Sequence, residues 1–299
     1  MDGDFPCEVR FMRLATIETW AGPRAALLSG DSFIDIHATE AALPSNMRQI
    51  LTGGPDMLRS VAGLANLPKP VKYPAAEVKY HAPIVDPQKI ICVGLNYKDH
   101  AAESGSPIPK DPVLFSKYST ALIGHGQSIV LPKVSEEVDY EAELVIVIGK
   151  RGRHIPKAAA YDYVAGYSVG HDVSARDWQL RKDGKQWMVG KTFDTFAPVG
   201  PMIVTRDEIP NPHALSISLR LNGQTMQNSS TSQMIFNTDD LLAYLSQVMT
   251  LEPGDLIFTG TPPGVGTARK PPVYLKDGDV AEVEIAGLGV LRNPVRQER

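Results

Sequence analysis

The sequence predicts a mixed α/β protein, predominantly β, with a smaller domain at its N-terminal end. Three observations carry that expectation. Short apolar runs recur along the chain, among them KIICVGL, SIVLP, EAELVIVIG, YVAGYSVGHDV, PMIVT, LSISLRLNG and DLIFTG, each of strand length. Twenty-five glycines and 24 prolines supply the turns such an architecture needs. The stretch LPKPVKYPAAEVKYHAPIVDP holds five prolines; proline fixes φ and removes a donor, so this reads as a linker. It sets a domain boundary near residue 80.

Taken in order, residues 1–10 read as an N-terminal extension with no periodicity of their own. Residues 11–80 form the small α/β domain: strands over 11–37, broken by Gly-Pro and Gly-Asp, then a helical stretch over 43–66. That stretch carries Met47, Ile50, Leu51, Met57, Leu58, Val61 and Leu64 at helical spacing. Residues 81–299 form the larger domain, strand-rich, with short helices expected at 97–103, 157–163 and 238–247. The last opens on Thr238 with acids in its first turn. AEVEIAGLGVLRNPV closes the chain as further strand.

A hydrophobic content of 43% with 21% charged residues is ordinary for a globular protein. Thirty basic residues against 34 acidic give a net charge of −4, without a long basic run, which argues against a nucleic-acid partner. Cys7 and Cys92 are too few for a disulfide framework or a thiolate metal site. The apolar runs fall far short of the ~20 residues needed to cross a bilayer, so no membrane partner is expected. The start, MDGDFPCEVR, has acids and no apolar core, unlike a secretory or transit signal. Together these lead to an expected cytoplasmic location.

The most informative segment is VDYEAELVIVIGK. Residues i and i+2 of a strand share a face, so Glu141 and Glu143 project side by side from a strand that continues as apolar. Like charges on a half-buried face repel and are costly to desolvate. A divalent cation answers both problems. Asp172, at the end of the apolar run in YSVGHDVSARDWQ, is a third candidate, aimed back at the pair by a loop. Oxygen ligands without histidine or cysteine favour Mg²⁺ or Mn²⁺, with Ca²⁺ as a further option, over zinc. The competing reading, three separately solvated acids, stays open on residue chemistry alone.

The order NYKDHAAE, VDYEAELVIVIGK, GHDVSARDWQ, GKQWMVGKTFDTFAPVGP and TGTPPGVG resembles the fumarylacetoacetate hydrolase superfamily over residues 88–290. Within it, the chain is most similar to the domain-containing protein 2 group. The resemblance implies a β-roll, usually dimeric, with a smaller N-terminal domain, and so a homodimer. It implies that Glu141, Glu143 and Asp172 are the metal ligands and that His100 and Glu103 form a dyad on a short helix. It further implies that Lys191 is the active-site lysine and that Arg176, Gln179 and Thr261 face the substrate. Asn96 departs from the pattern, since true fumarylacetoacetate hydrolases have a metal-site aspartate there; this points to smaller 2-oxo acids. The Gly-rich TGTPPGVG is no phosphate-binding Walker loop, as no Gly-Lys-Ser/Thr follows.

The implied chemistry is chelation of a small 2-oxo (1,3-dicarbonyl) acid and passage through an enolate held at the metal. Hydrolysis of a C–C bond in acylpyruvate-type substrates is the leading expectation. Oxaloacetate tautomerisation or decarboxylation is the alternative. A metal-dependent small-acid binding protein without catalysis is the non-enzymatic one.

Overall fold

A computed structural model of the chain describes residues 11–105 and 107–299; the segment 1–10, expected as an extension, lies outside the described residues. The architecture is mixed α/β and mostly β. Its centre is an 11-stranded sheet. From one edge it runs through Lys72–Pro74, Ser32–Asp35, Gly22–Ser29 and Arg13–Thr19, then Ala197–Thr205, Val164–His171, Ala142–Ile148, Leu256–Phe258, Ile90–Gly94 and Val113–Ser116. Leu122–Ile123 pairs with Ala197–Thr205 off this path. A five-stranded sheet, Gln224–Ser230, Ser216–Leu221, Val280–Ile285, Gly289–Gln297 and Ile129–Leu131, is the second layer.

The uninterrupted apolar run after Glu143 follows from this layering. Leu144, Ile146 and Ile148 enter a core with Ile217, Leu219, Val283 and Leu291 of the second sheet. Leu241, Leu242 and Leu245 of the helix Thr238–Val248 enter the same core. Val145 and Val147 alternate to the other side, among Ile50, Leu51, Val61 and Phe258. A strand buried on both faces cannot alternate apolar with polar. Asn237 and Asp240 close the start of the helix as a reciprocal capping box.

The N-terminal strands are hydrogen-bonded into the central sheet: Arg13–Thr19 pairs antiparallel with Ala197–Thr205. The proline-rich stretch is mostly irregular, yet Lys72–Pro74 adds an edge strand beside Ser32–Asp35. The helical stretch expected over 43–66 divides into Met47–Thr52, Gly54–Gly63 and a short 3₁₀ turn, Leu64–Asn66. The break falls at Gly54, whose φ of +67° leaves the helical region. Val113–Ser116 and Gln224–Ser230 are strands that apolar patterning does not mark; the second, QTMQNSS, is largely polar. No helix of the described residues is long and apolar enough to cross a membrane.

Candidate metal centre and active site

Glu141, Glu143 and Asp172 come together through strand register. Ala142–Ile148 pairs antiparallel with Val164–His171, matching Glu143 to Gly170 and Ala142 to His171. One step further, the Asp172 N–H donates to the Glu141 carbonyl at 2.9 Å. The ladder itself therefore sets Asp172 opposite Glu141, where the sequence suggested an aiming loop. One carboxylate oxygen from each of the three lies within 4.8 Å of the others, and all three residues are buried.

Lys191, at the end of the short helix Trp187–Lys191, reaches into this cluster. Its ammonium donates to Glu141 Oε2 and Asp172 Oδ2, both at 2.8 Å, and to Ser174 Oγ at 2.7 Å. Burial alone would lower its pKa, but Asp172 and Glu141 outweigh that and raise it, so it is a fixed positive charge. The Phe115 ring lies 5.1 Å from the nitrogen. Gly190 makes the approach feasible, because a Cβ there would meet the Gln179 backbone at 2.6 Å.

Arg176 is buried and fully engaged. It donates to Asp139 Oδ2 at 2.8 Å, to Gln179 Oε1 at 2.8 Å and to Glu141 Oε1 at 2.7 Å. Its guanidinium is thus tied to protein partners. Gln179 lines the cleft and orients it.

Glu143 differs from its two neighbours. Among the described residues it has no ion pair, and its hydrogen bond is the Gly260 N–H to Oε2 at 2.8 Å. Burial, then Asp172 and Glu141, raise its carboxyl well above the usual range. Gly260 has φ +97°, and a Cβ there would come within 2.8 Å of Asn96 Cβ. Gly260→Ala is expected to cost about 1–3 kcal/mol and to lower the melting temperature measured by calorimetry.

His100 and Glu103 sit on the helix Lys98–Ser104, which ends at Gly105 with φ +63°. His100 Nδ1 lies 3.1 Å from Glu103 Oε2, and His100 lines the cleft that the triad opens into. Glu103 also accepts from the Gly264 N–H at 3.0 Å, which ties this helix to the TGTPPGVG loop. Thr261 of that loop lines the cleft too.

The cleft encloses about 290 Å³, with Val93, Phe115, Leu180, Trp187 and Val265 as its apolar wall. Asn96 is not part of that wall. Its amide donates to the carbonyls of Phe236 (3.0 Å) and Thr259 (2.7 Å) and accepts from the Phe236 N–H at 2.7 Å. An aspartate could not supply both donations, so the asparagine here is a backbone staple.

Four residues of the site escaped the sequence reading. Asp139 accepts from Arg176, from the N–H groups of Gly266 (2.6 Å) and Thr267 (3.0 Å), and from its neighbour Tyr140 at 2.7 Å. Its signal was present, an acid two positions before Glu141 on the same face. Lys117 donates to the carbonyls of Val173, Phe196 and Lys191, with Asp172 Oδ1 2.7 Å away. Ser174 accepts from Lys191. Gln227 connects the triad strand to the loop of Thr261.

The charges decide what the cluster can hold. Four buried carboxylates, Asp139, Glu141, Glu143 and Asp172, face three buried cations, Lys117, Arg176 and Lys191. His171 adds none: burial pushes it down to about 3, against the opposite pull of Asp172. The deficit of positive charge falls on Glu143. Oxygen donors alone, one of them lacking a counter-cation, fit a hard dication.

The sequence model of the family described as "Fumarylacetoacetate (FAA) hydrolase C-terminal" matches residues 89–296. A mitochondrial oxaloacetate tautomerase of Bos taurus is 49% identical over 290 residues, covering 96% of this chain and 92% of its own. Among solved structures, fumarylacetoacetate hydrolase from Exiguobacterium antarcticum superposes with a TM-score of 0.84 at 35% identity. The 5-carboxymethyl-2-hydroxymuconate delta-isomerase from Mycobacterium smegmatis gives 0.75 at 37%. Each alignment spans 96% of this chain and 100% of the other. The expected cytoplasmic location does not stand, since curated relatives at this level of identity are named mitochondrial. Cysteine scarcity signals only a reducing environment, which does not tell one such compartment from another.

Proposed function

We propose that this chain, which belongs to the fumarylacetoacetate hydrolase family, is a divalent-metal-dependent tautomerase that interconverts the keto and enol forms of oxaloacetate. It is an enzyme of that superfamily. The observation that carries the finer reading is the near-full-length identity of 49% to a protein named as an oxaloacetate tautomerase. The cleft of about 290 Å³ suits a four-carbon acid, being at the small end of ligand sites. Acylpyruvate hydrolysis, the leading expectation from the sequence, gives way to the alternative stated beside it.

Glu141, Glu143 and Asp172 would hold the metal, Mg²⁺ or Mn²⁺. When bound, the ion supplies Lewis-acid polarisation of the 2-oxo acid and lowers the cost of enolate charge. The chain's own part is the proton. His100, donating its Nδ1 proton to Glu103, keeps a lone pair at Nε2 and can take a proton from C3. Glu103, anchored by the Gly264 N–H, holds the ring in place. Lys191 spends its three N–H groups on Glu141, Asp172 and Ser174, so it acts as a fixed charge beneath the developing enolate.

The test is to add enolic oxaloacetic acid to metal-loaded protein and follow the enol's ultraviolet absorbance, with pyruvate assayed separately. Accelerated enol loss without pyruvate is the expected result. Pyruvate rising in step with enol loss, or no acceleration, would overturn the assignment. His100→Ala should lower turnover by roughly 10²- to 10⁴-fold, and Glu103→Gln should act on the same step. A homodimer belongs to the same reading. Light scattering should give about twice the 32.5 kDa of one chain.

A further inference from the structure

We propose that Gln227 is a positioning residue that fixes the Thr261 hydroxyl as a hydrogen-bond donor to the substrate and ties it to the strand of the acidic triad. Gln227 lies on the strand Gln224–Ser230 and is 1% exposed. Its Oε1 accepts from the Ala142 N–H at 2.8 Å, the amide between Glu141 and Glu143. Its Nε2 donates to Thr261 Oγ1 at 2.9 Å and to the Pro262 carbonyl at 2.8 Å.

These partners leave one orientation of the amide. The Ala142 N–H can only donate and the Pro262 carbonyl can only accept, so the oxygen must face the first and the nitrogen the second. Thr261 Oγ1 therefore receives a proton from Gln227, and its own proton must be directed elsewhere. Among the described residues no protein acceptor takes it, while Thr261 lines the cleft beside the triad. The keto form of a 2-oxo acid anion, like oxalate, offers acceptors only, so a hydroxyl whose proton is directed into the cleft fits it. Donation by Gln227 also polarises the hydroxyl and strengthens the bond it gives.

The inference rests on the cleft being a 2-oxo-acid site. Its test therefore uses an anion that is bound but not converted. The probe is oxalate, titrated calorimetrically into the Mg²⁺-loaded full-length protein. Gln227→Glu replaces the donor with an acceptor, so the Thr261 proton turns to the new carboxylate and away from the cleft. Gln227→Glu and Thr261→Val should each weaken oxalate binding roughly 10- to 100-fold, the scale of one hydrogen bond to a charged group. The double variant should be no weaker than either single one. Thr261→Ser should bind like the parent, and Mg²⁺ affinity without oxalate should stay within about threefold in Thr261→Val and Thr261→Ser.

Losses that multiply in the double variant, or parental affinity in Gln227→Glu, would overturn the proposal. If Gln227→Glu does not fold, Gln227→Met with and without Thr261→Val supplies the same coupling test. Absence of oxaloacetate tautomerisation in the parent protein would count against the assigned activity only, since oxalate binding is read independently of turnover.

Discussion

Glu143→Gln is expected to weaken Mn²⁺ binding by about 100-fold or more, beyond what loss of a supporting hydrogen bond costs, while the metal-free protein keeps its stability or gains some. The two halves of that result have one cause. Glu143 alone of the triad has no cation partner among the described residues, and Asp172 and Glu141 both oppose its ionisation. An isosteric amide removes the repulsion and can still accept from the Gly260 N–H. In the parent, Mn²⁺ at 100 times its dissociation constant should add about 2.7 kcal/mol of stability; in Glu143→Gln at the same concentration that gain should nearly vanish. Glu141→Gln should behave differently, because it weakens contacts to Arg176 and Lys191 and so destabilises the metal-free protein. Calorimetric titration and melting of both variants decide the matter. Parental Mn²⁺ affinity in Glu143→Gln would remove the metal from this site.

That contrast also marks where the sequence could be read and where it could not. Glu141 and Glu143 were visible because a strand's two-residue period is a local property. LVIVIG was visible as a strand, and its burial on both faces explains why no polar residue interrupts it. His100 and Glu103 were legible through the family resemblance, and their i, i+3 spacing on one helix face allows the contact between them. The partners that finish the site are set by long-range register. Lys117 stands 55 positions before Asp172, and Gln227 stands 85 after Ala142. The strand that presents Gln227 is polar and leaves no hydrophobic signature. Arg176 lines the cleft, but its three partners depend on where Asp139 and Glu141 sit relative to the segment Asp177–Arg181. Location in the cell was misread because composition carries no address.

Lys191→Met is expected to lower turnover by about 10³-fold and to destabilise the metal-free protein by about 3–5 kcal/mol, the cost of removing one partner from a buried ion-pair network. For a chain of this size that corresponds to a fall in melting temperature of roughly 10 °C. Methionine matches the length and apolar stem of lysine, so little of the loss is packing, although the ammonium's contact with the Phe115 ring goes with the charge. What disappears is the charge shared by Glu141 and Asp172 and the three hydrogen bonds that orient them. A dication then replaces the lost positive charge, so Mn²⁺ should stabilise Lys191→Met more than it stabilises the parent. Adding Glu141→Gln to Lys191→Met should restore part of the metal-free stability without restoring turnover, because the repulsion falls while the cation beneath the enolate is still missing. Differential scanning calorimetry with and without Mn²⁺, alongside the enol assay, reads all of these. If Lys191→Met melts with the parent and still turns over oxaloacetate, the lysine is a bystander, and Lys117 and Arg176 would be the remaining buried cations of the cluster.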